Sequence, residues 1–246
     1  MSSPTGTRST KSRAAAARRL AAEQRRAVAQ QRRKRRIAAG AVAVTIALAA
    51  AVGIVIGNLQ GSGGTTPTGT PPGVTEAGGV LVGSPTAPVQ VVLYEDPQCP
   101  VCARFEASTG RVLAQAVAEG KVVVEYRMRL FLGPESARAV NALAAAQAEG
   151  KFDALRRIQY QEQPVEGSGG YPTDDLIRMG ASAGLTSEDY IAAVRKMTYE
   201  AWARATDDRA SLDGNVATPE LRIDGKPVPA KVLFDAKALA KALGLS

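Results

Sequence analysis

The sequence contains no histidine and only two cysteines among its 246 residues. The absence of histidine excludes Ser-His-Asp triads, histidine general bases and most zinc and copper sites. A soft-metal site would therefore need methionine ligands, and Met128, Met179 and Met197 have no ligand-like spacing. We therefore expect no metal and no bound cofactor.

Positive charge is scarce outside the N-terminal region. Residues 1–36 contain 12 Lys and Arg against a single acid, Glu23, whereas the rest of the chain contains 19 against 22 Asp and Glu. The formal net charge of +8 therefore belongs to a basic tail, and the body is mildly acidic. This distribution argues against a nucleic-acid partner for the folded part.

Residues 37–57 contain no charged side chain, and Thr45 is their only polar one. A helix of this length is about 31 Å long, which is enough to cross the hydrocarbon core of a bilayer. The Arg and Lys residues that precede it predict a cytoplasmic N-terminus and an extracytoplasmic body. We therefore predict a basic cytoplasmic tail (1–36) and one transmembrane signal-anchor helix (37–57) in a single-pass cell-membrane protein. A cleaved signal peptide is the alternative, which the long basic and apolar segments disfavour.

The remaining chain is predicted to form a linker and one folded domain. Residues 58–77 are rich in Gly, Thr and Pro, which predicts a flexible linker. In residues 78–246, apolar runs predict strands, and apolar residues at helical spacing predict helices. The predicted strands are 80–82, 89–94, 122–131, 220–223 and one around Val228. The predicted helices are 102–119, 135–147, 152–160, one capped by Thr173, one capped by Thr186 with Asp189, 200–212 and 231–243. This order predicts an α/β fold with an inserted helical block at about residues 134–212.

The two cysteines lie in the segment Cys99-Pro100-Val101-Cys102, at the junction of a predicted strand and helix. At a helix N-terminus the free N–H groups and the helix dipole stabilise an anion, which favours a thiolate at Cys99. Pro100 suits an early helical position because its missing N–H would be unpaired there anyway. A structural disulfide and an inert cysteine pair are alternatives, although so short a loop adds only about 2 kcal/mol of stability.

A second segment, Thr218-Pro219, precedes a predicted strand. Proline at the start of a strand is compatible with a tight turn and a cis peptide bond. Such a turn leaves the backbone of Thr218 available to pair with an extended substrate segment. An ordinary trans turn is the alternative. The dithiol, together with the two strands and the helix predicted after Pro219, favours the cis form.

The chain resembles the DsbA-like thiol:disulfide oxidoreductases, most closely their membrane-tethered or secreted Gram-positive and actinobacterial forms. The segments that carry the resemblance are 89–102 with Phe105, 131–139, 150–152, Thr218-Pro219 and Asp224-Gly225-Lys226. The resemblance implies a thioredoxin-like fold, with Cys99 as the attacking and leaving sulfur, Cys102 as its buried partner and Pro219 as a cis-proline. It also implies an extracytoplasmic oxidase that acts on exported polypeptides with free thiols and is reoxidised by a quinone-linked membrane partner.

Four residues beside the cysteines are candidates for tuning them. Pro100 and Val101 lie between the two thiols, and Val101 stands where many members of this group carry His or an aromatic residue. Glu95 and Asp96 precede them, and a nearby carboxylate could shuttle a proton to or from Cys102. Both acids could equally be surface residues at the end of the strand.

The residues leave two other functions open. The same dithiol could serve a reductase or an isomerase, which differ from an oxidase in reduction potential. Alternatively, the domain could be a tethered binding module whose dithiol is only structural. An ordinary thiol pKa at Cys99, near 8.5, would favour that binding module.

Overall fold

The computed structural model describes residues 69–245. The predicted tail, the predicted transmembrane helix and the linker up to residue 68 lie outside these residues. Within the described range, no helix combines the length and the apolar character needed to cross a membrane.

A five-stranded mixed sheet forms the centre of the domain, with strand order β1-β3-β2-β4-β5. The strands are β1 (Val80–Val82), β2 (Val89–Glu95), β3 (Val122–Met128), β4 (Glu220–Ile223) and β5 (Lys226–Pro227). Strands β2 and β3 are parallel, whereas β1, β4 and β5 join the sheet antiparallel to their neighbours. The apolar run of β2 is buried on both faces, with Leu93 and Tyr94 fully inaccessible, as expected of a central strand.

The helices of the described residues lie in three stretches of the chain. Between β2 and β3 lie α1 (Pro100–Phe105), a π-helical segment (Glu106–Gly110) and α2 (Arg111–Ala118). The inserted block between β3 and β4 contains α3 (Pro134–Ala148), α4 (Phe152–Gln161), α5 (Thr173–Ser182), α6 (Glu188–Lys196) and α7 (Glu200–Leu212). Two short helices, α8 (Ala230–Leu233) and α9 (Ala236–Ala242), follow β5. The predicted α/β fold and the position of its helical insertion are therefore confirmed.

Several predicted boundaries are wrong, for local reasons. The helix predicted from Cys102 to Glu119 begins at Pro100 and contains the π-helical turn, where the Ser108 hydroxyl donates to the Arg104 carbonyl at 2.8 Å. The strand predicted to reach residue 131 ends at Met128, because its partner strand ends at Glu95. The predicted strand around Val228 lies two residues earlier, at Lys226–Pro227.

The predicted helix caps also differ from the observed ones. Ser187, rather than Thr186, caps α6, and its hydroxyl accepts from the Tyr190 N–H at 3.0 Å. Thr173 is the first residue of α5 and makes no side-chain cap. The single closing helix predicted over residues 231–243 is split, because Asp235 accepts the backbone N–H groups of residues 237 and 238 and starts a new helix.

The described end of the predicted linker, residues 69–77, packs against the domain. Val74 forms a β-bridge with Val80, and the Thr75 hydroxyl donates to Glu125 at 2.6 Å. The Gln147 side chain donates to the carbonyl of Pro72 at 3.2 Å. The folded domain therefore begins before residue 78, and the predicted linker boundary at residue 77 is too late.

Candidate active site

Cys99 occupies the N-cap position of α1, and Pro100 is the first helical residue, which agrees with the early helical position predicted for it. The backbone of Cys99 is extended, and its carbonyl accepts the N–H groups of Cys102 and Ala103 at 3.0 and 3.1 Å. Both cysteines are free thiols. Cys99 is 8% exposed and Cys102 is fully buried, so only Cys99 is open to a reactant. Val101 is 38% exposed at the mouth of the site.

The surroundings of the two thiols shift their pKa values in opposite directions. A hydrogen bond from the Cys102 thiol, helped by the backbone N–H groups of Val101 and Cys102, lowers the pKa of Cys99 to about 5. Burial opposes this change but is outweighed. The pKa of Cys102 is raised well above its ordinary value by burial, by its bond to Cys99 and by the charge of Glu95. At neutral pH, Cys99 is therefore a thiolate and Cys102 a thiol.

The Thr218–Pro219 segment lies directly against the dithiol. Its peptide bond is cis, as predicted from the sequence. The Cys99 sulfur lies 3.6 Å from the Thr218 carbonyl oxygen, which accepts a hydrogen bond from Cys99 when the thiol is protonated. Residues more than a hundred positions apart in the chain thus form one site.

Glu95 is completely buried at the end of β2, so its alternative assignment as a surface residue is wrong. Burial raises the pKa of Glu95 to about 7, although the Arg156 guanidinium, 3.2 Å from its carboxylate, acts in the opposite direction. Its charge also raises the pKa of Cys102. Glu95 is therefore a titratable group, coupled to the buried thiol, that can gain or lose a proton near neutral pH.

Asp96 is also buried, and hydrogen-bond donors surround it. It accepts from the Ser136 hydroxyl at 2.8 Å, the Gln98 N–H at 2.8 Å and the Leu132 N–H at 3.1 Å. Burial raises the pKa of Asp96 to about 6, against these three hydrogen bonds. Because Ser136 lies in the first turn of α3, the first helix of the insertion, Asp96 ties the dithiol turn to that block.

The comparison with protein families decides the classification. A family model described as thioredoxin matches residues 75–242, which include the dithiol, the insertion and the Thr218–Pro219 turn. The chain belongs to the thioredoxin family.

Solved structures refine this assignment at the level of the fold. This thioredoxin-family chain is similar to MdbA, a thiol-disulfide oxidoreductase from Actinomyces oris, with a TM-score of 0.65 and 18% identity over 76% of this chain and 94% of MdbA. It is also similar to oxidised BdbD from Bacillus subtilis, with a TM-score of 0.61 and 20% identity over 72% of this chain and 95% of BdbD. The predicted thioredoxin-like fold is therefore confirmed.

A curated relative is a much longer protein. The chain is 27% identical over 164 residues to a Na(+)/H(+) antiporter NhaA 1 of Mycolicibacterium gilvum. The matched region covers 65% of this chain and 25% of the antiporter. The chain thus spans about a quarter of the length of the curated relatives it matches.

The helical insertion contributes site residues that sequence reasoning missed. Tyr160 packs beside the two cysteines, and the Gln163 side chain donates to the carbonyls of Pro97 and Cys99 at 2.8 and 3.1 Å. Arg156 is 2% exposed and reaches Glu95 from α4. One signal was available in the sequence: Arg156 lies four residues after Phe152, at a spacing that places both residues on one face of a helix.

The acidity of Cys99 can be measured directly. We expect the rate of iodoacetamide alkylation at Cys99 in the reduced protein to rise with pH around a midpoint near 5, because the thiolate is the reactive form. Cys102 should remain unmodified in the folded protein, since it is fully buried. Peptide mapping by mass spectrometry distinguishes the two. A midpoint near the ordinary value of about 8.5 would contradict the electrostatic account of the site.

Proposed function

We propose that this chain is a thiol:disulfide oxidoreductase that exchanges disulfides with polypeptides through Cys99 and Cys102. One observation carries the proposal: an acidic cysteine at a helix N-terminus, 8% exposed, lies 3.6 Å from the carbonyl of Thr218, with its fully buried partner one helical turn away. A structural disulfide would need neither the acidity of Cys99 nor the adjacent open backbone.

The proposed oxidase reaction consists of two exchanges. A substrate thiolate attacks Cys99 of the oxidised protein, the Cys99–Cys102 bond breaks, and Cys102 leaves as a thiolate that takes up a proton. A second substrate thiolate then attacks the substrate sulfur of the mixed disulfide, which forms the substrate disulfide and releases Cys99 as a thiolate. Two electrons thereby pass from the substrate to the protein. The low pKa of Cys99 makes it the better leaving group in the second exchange.

Glu95 is the proposed proton donor to the departing Cys102. With a pKa near 7 it is partly protonated at neutral pH, and its charge acts on Cys102. Asp96 is a weaker candidate, because three hydrogen-bond donors already hold its carboxylate. In this account Asp96 fixes the dithiol turn and Glu95 moves the proton.

The proposed substrates are exported polypeptides with free thiols. An extended segment would pair with the backbone of Thr218 as an added strand beside Cys99. The basic tail and apolar segment of the sequence support an extracytoplasmic domain on a single-pass membrane anchor, and resemblance to DsbA-like proteins supports a quinone-linked membrane reoxidant. The reductase alternative uses the same exchanges in reverse, so that electrons pass from the protein to the substrate. The isomerase alternative uses them without a net transfer of electrons.

The proposal is tested by disulfide transfer. The oxidised protein is mixed with an equimolar peptide that contains two cysteines, and we expect one peptide disulfide to form for each protein disulfide lost. Protein that has been reduced and alkylated at Cys99 beforehand serves as the control and should transfer nothing. No transfer from the oxidised protein would favour the binding-module alternative over an enzyme.

A further inference from the structure

A buried polar contact anchors the loop that carries Pro219. We call residues 213–219, between α7 and β4, the Pro219 loop. Asn215 is 3% exposed within this loop, whereas its neighbour Val216 is 79% exposed. A buried amide in an otherwise open loop must be held by partners, because an unpaired one would be costly.

Arg129 is the main partner of that amide. It is 5% exposed, and its Nη1 group donates to both the backbone carbonyl of Asn215, at 3.0 Å, and the side-chain oxygen of Asn215. Its other nitrogens donate to Asp207 at 2.6 Å and to Ser211 at 3.0 Å, both on α7. The guanidinium thus fixes the loop to the helix that precedes it.

Asn215 transmits this anchorage to both sides of the Thr218–Pro219 bond. Its amide nitrogen donates to the Ala217 carbonyl at 2.8 Å and to the Glu220 carboxylate at 3.0 Å. Ala217 precedes the reactive turn and Glu220 follows it. One side chain therefore sets the direction of the loop on either side of Thr218.

Arg129 also contacts the other half of the site through its backbone. Its N–H donates at 2.8 Å to the carbonyl of Glu95, the last residue of the strand that leads to the dithiol. A single residue thus links the dithiol strand, by its main chain, to the Pro219 loop, by its side chain. The Cys99 sulfur and the Thr218 carbonyl oxygen, which are 3.6 Å apart, belong to the two segments that Arg129 joins.

We propose that Arg129 and Asn215 are positioning residues that hold the Pro219 loop in register with Cys99 and thereby set the affinity for a polypeptide strand. The inference rests on the proposed function, because it concerns the strand that pairs with Thr218. The Asn215 bond occupies the Ala217 carbonyl and keeps it turned into the loop. The backbone of Thr218 is then the group presented to an incoming strand.

The test compares a strand-forming substrate with one too small to pair with the loop. Disulfide transfer from the oxidised protein is measured to a dithiol peptide and to dithiothreitol. Asn215→Asp keeps an oxygen for Arg129 but replaces the donor to Ala217 with a carboxylate oxygen. We expect its KM for the peptide to rise about tenfold, while its rate with dithiothreitol stays within about twofold of wild type.

Two further variants complete the comparison. Arg129→Lys keeps the charge but cannot bridge α7 and the loop, so it should shift the peptide KM in the same direction. Arg204→Gln is the matched control, because Arg204 is an exposed arginine of α7 that pairs with Glu200 rather than with the loop, and it should leave both substrates at wild-type rates.

The outcomes separate the inference from the proposed function. An unchanged peptide KM in Asn215→Asp, or equal losses with the peptide and with dithiothreitol, would overturn the positioning role while leaving the oxidoreductase intact. A wild-type protein inactive with both substrates would refute the proposed function, and the inference would fall with it.

Discussion

Cys99→Ser is expected to abolish disulfide transfer, because it removes the sulfur that a substrate thiolate attacks. Loss of a covalent nucleophile typically lowers the rate on the order of 10⁴-fold or more. Cys102→Ser cannot form the Cys99–Cys102 disulfide, but its Cys99 thiolate can attack a disulfide of an oxidised substrate and displace one of the two substrate sulfurs. No second protein thiol is then present to break the resulting mixed disulfide. Stable mixed disulfides between Cys99 and substrate proteins should then accumulate, and non-reducing electrophoresis with mass spectrometry detects them.

Because the sequence contains only two cysteines, the product of this experiment can be assigned to one sulfur. With only two cysteines in the sequence, every mixed disulfide formed by Cys102→Ser must involve Cys99, and the double serine variant gives the background. Each variant is checked for folding by its thermal unfolding transition. Wild-type transfer by Cys99→Ser, or equal trapping by both single variants, would contradict the assigned roles.

Arg156→Gln is expected to destabilise the protein by about 3–5 kcal/mol, because it leaves the buried Glu95 carboxylate without its counter-charge. The Arg156 side chain is 3% exposed and contacts Glu95 at 3.2 Å, Glu106 at 2.9 Å and Asp153 at 3.1 Å. The measurement is the free energy of unfolding in urea. Arg157→Gln is the matched control, since Arg157 pairs with the same Asp153 from a side chain that is 43% exposed. That control should cost less than about 1 kcal/mol.

The loss in Arg156→Gln should depend on pH in a defined direction. Burial already raises the pKa of Glu95 to about 7, and Arg156 partly opposes that rise, so removal of the guanidinium raises it further. A raised carboxyl pKa stabilises the fold at low pH, and this stabilisation disappears as the pH rises through the folded-state value. The variant should therefore be closer to wild type at pH 5 than at pH 8. Equal losses in the Arg156 and Arg157 variants, or a loss that shrinks with rising pH, would contradict the role of the buried cluster.

The sequence predicted the reactive half of the site because that half is local. The pattern Cys99-Pro100-Val101-Cys102 contains both thiols and the helix start, and Thr218-Pro219 contains the whole turn. The strands and helices could be predicted from the spacing of apolar residues, because that spacing is also a local property of the sequence. Boundaries were less predictable, because adjacent hydroxyl residues such as Thr186 and Ser187 compete for one capping position and tertiary contacts decide between them.

The supporting half of the site depends on contacts between distant segments. Arg156 lies 61 positions from Glu95 and Arg129 lies 86 from Asn215, so no local pattern joins either pair. Their partners become evident only when the insertion has folded over the sheet. The burial of Glu95 and Asp96 was unpredictable for a related reason, because an acid at a strand end is ordinarily solvated and here the inserted helices cover it.

The acidity of Cys99 has a consequence for the direction of electron flow. Stabilising the Cys99 thiolate favours the reduced protein over its disulfide form, which makes the disulfide a better oxidant. The Val101 side chain contributes no polar group to this effect, which comes from the Cys102 thiol, the Thr218 side chain and the backbone N–H groups of Val101 and Cys102. An oxidase is therefore favoured over a reductase.

The reduction potential of the Cys99–Cys102 couple tests this account most directly. It is obtained by equilibrating the protein with glutathione mixtures of known ratio at pH 7 and quantifying the alkylated thiols. We predict a potential less negative than about −200 mV, on the oxidising side of the range for thioredoxin-fold proteins. A value at or below about −270 mV, where a reducing dithiol of this fold lies, would contradict it.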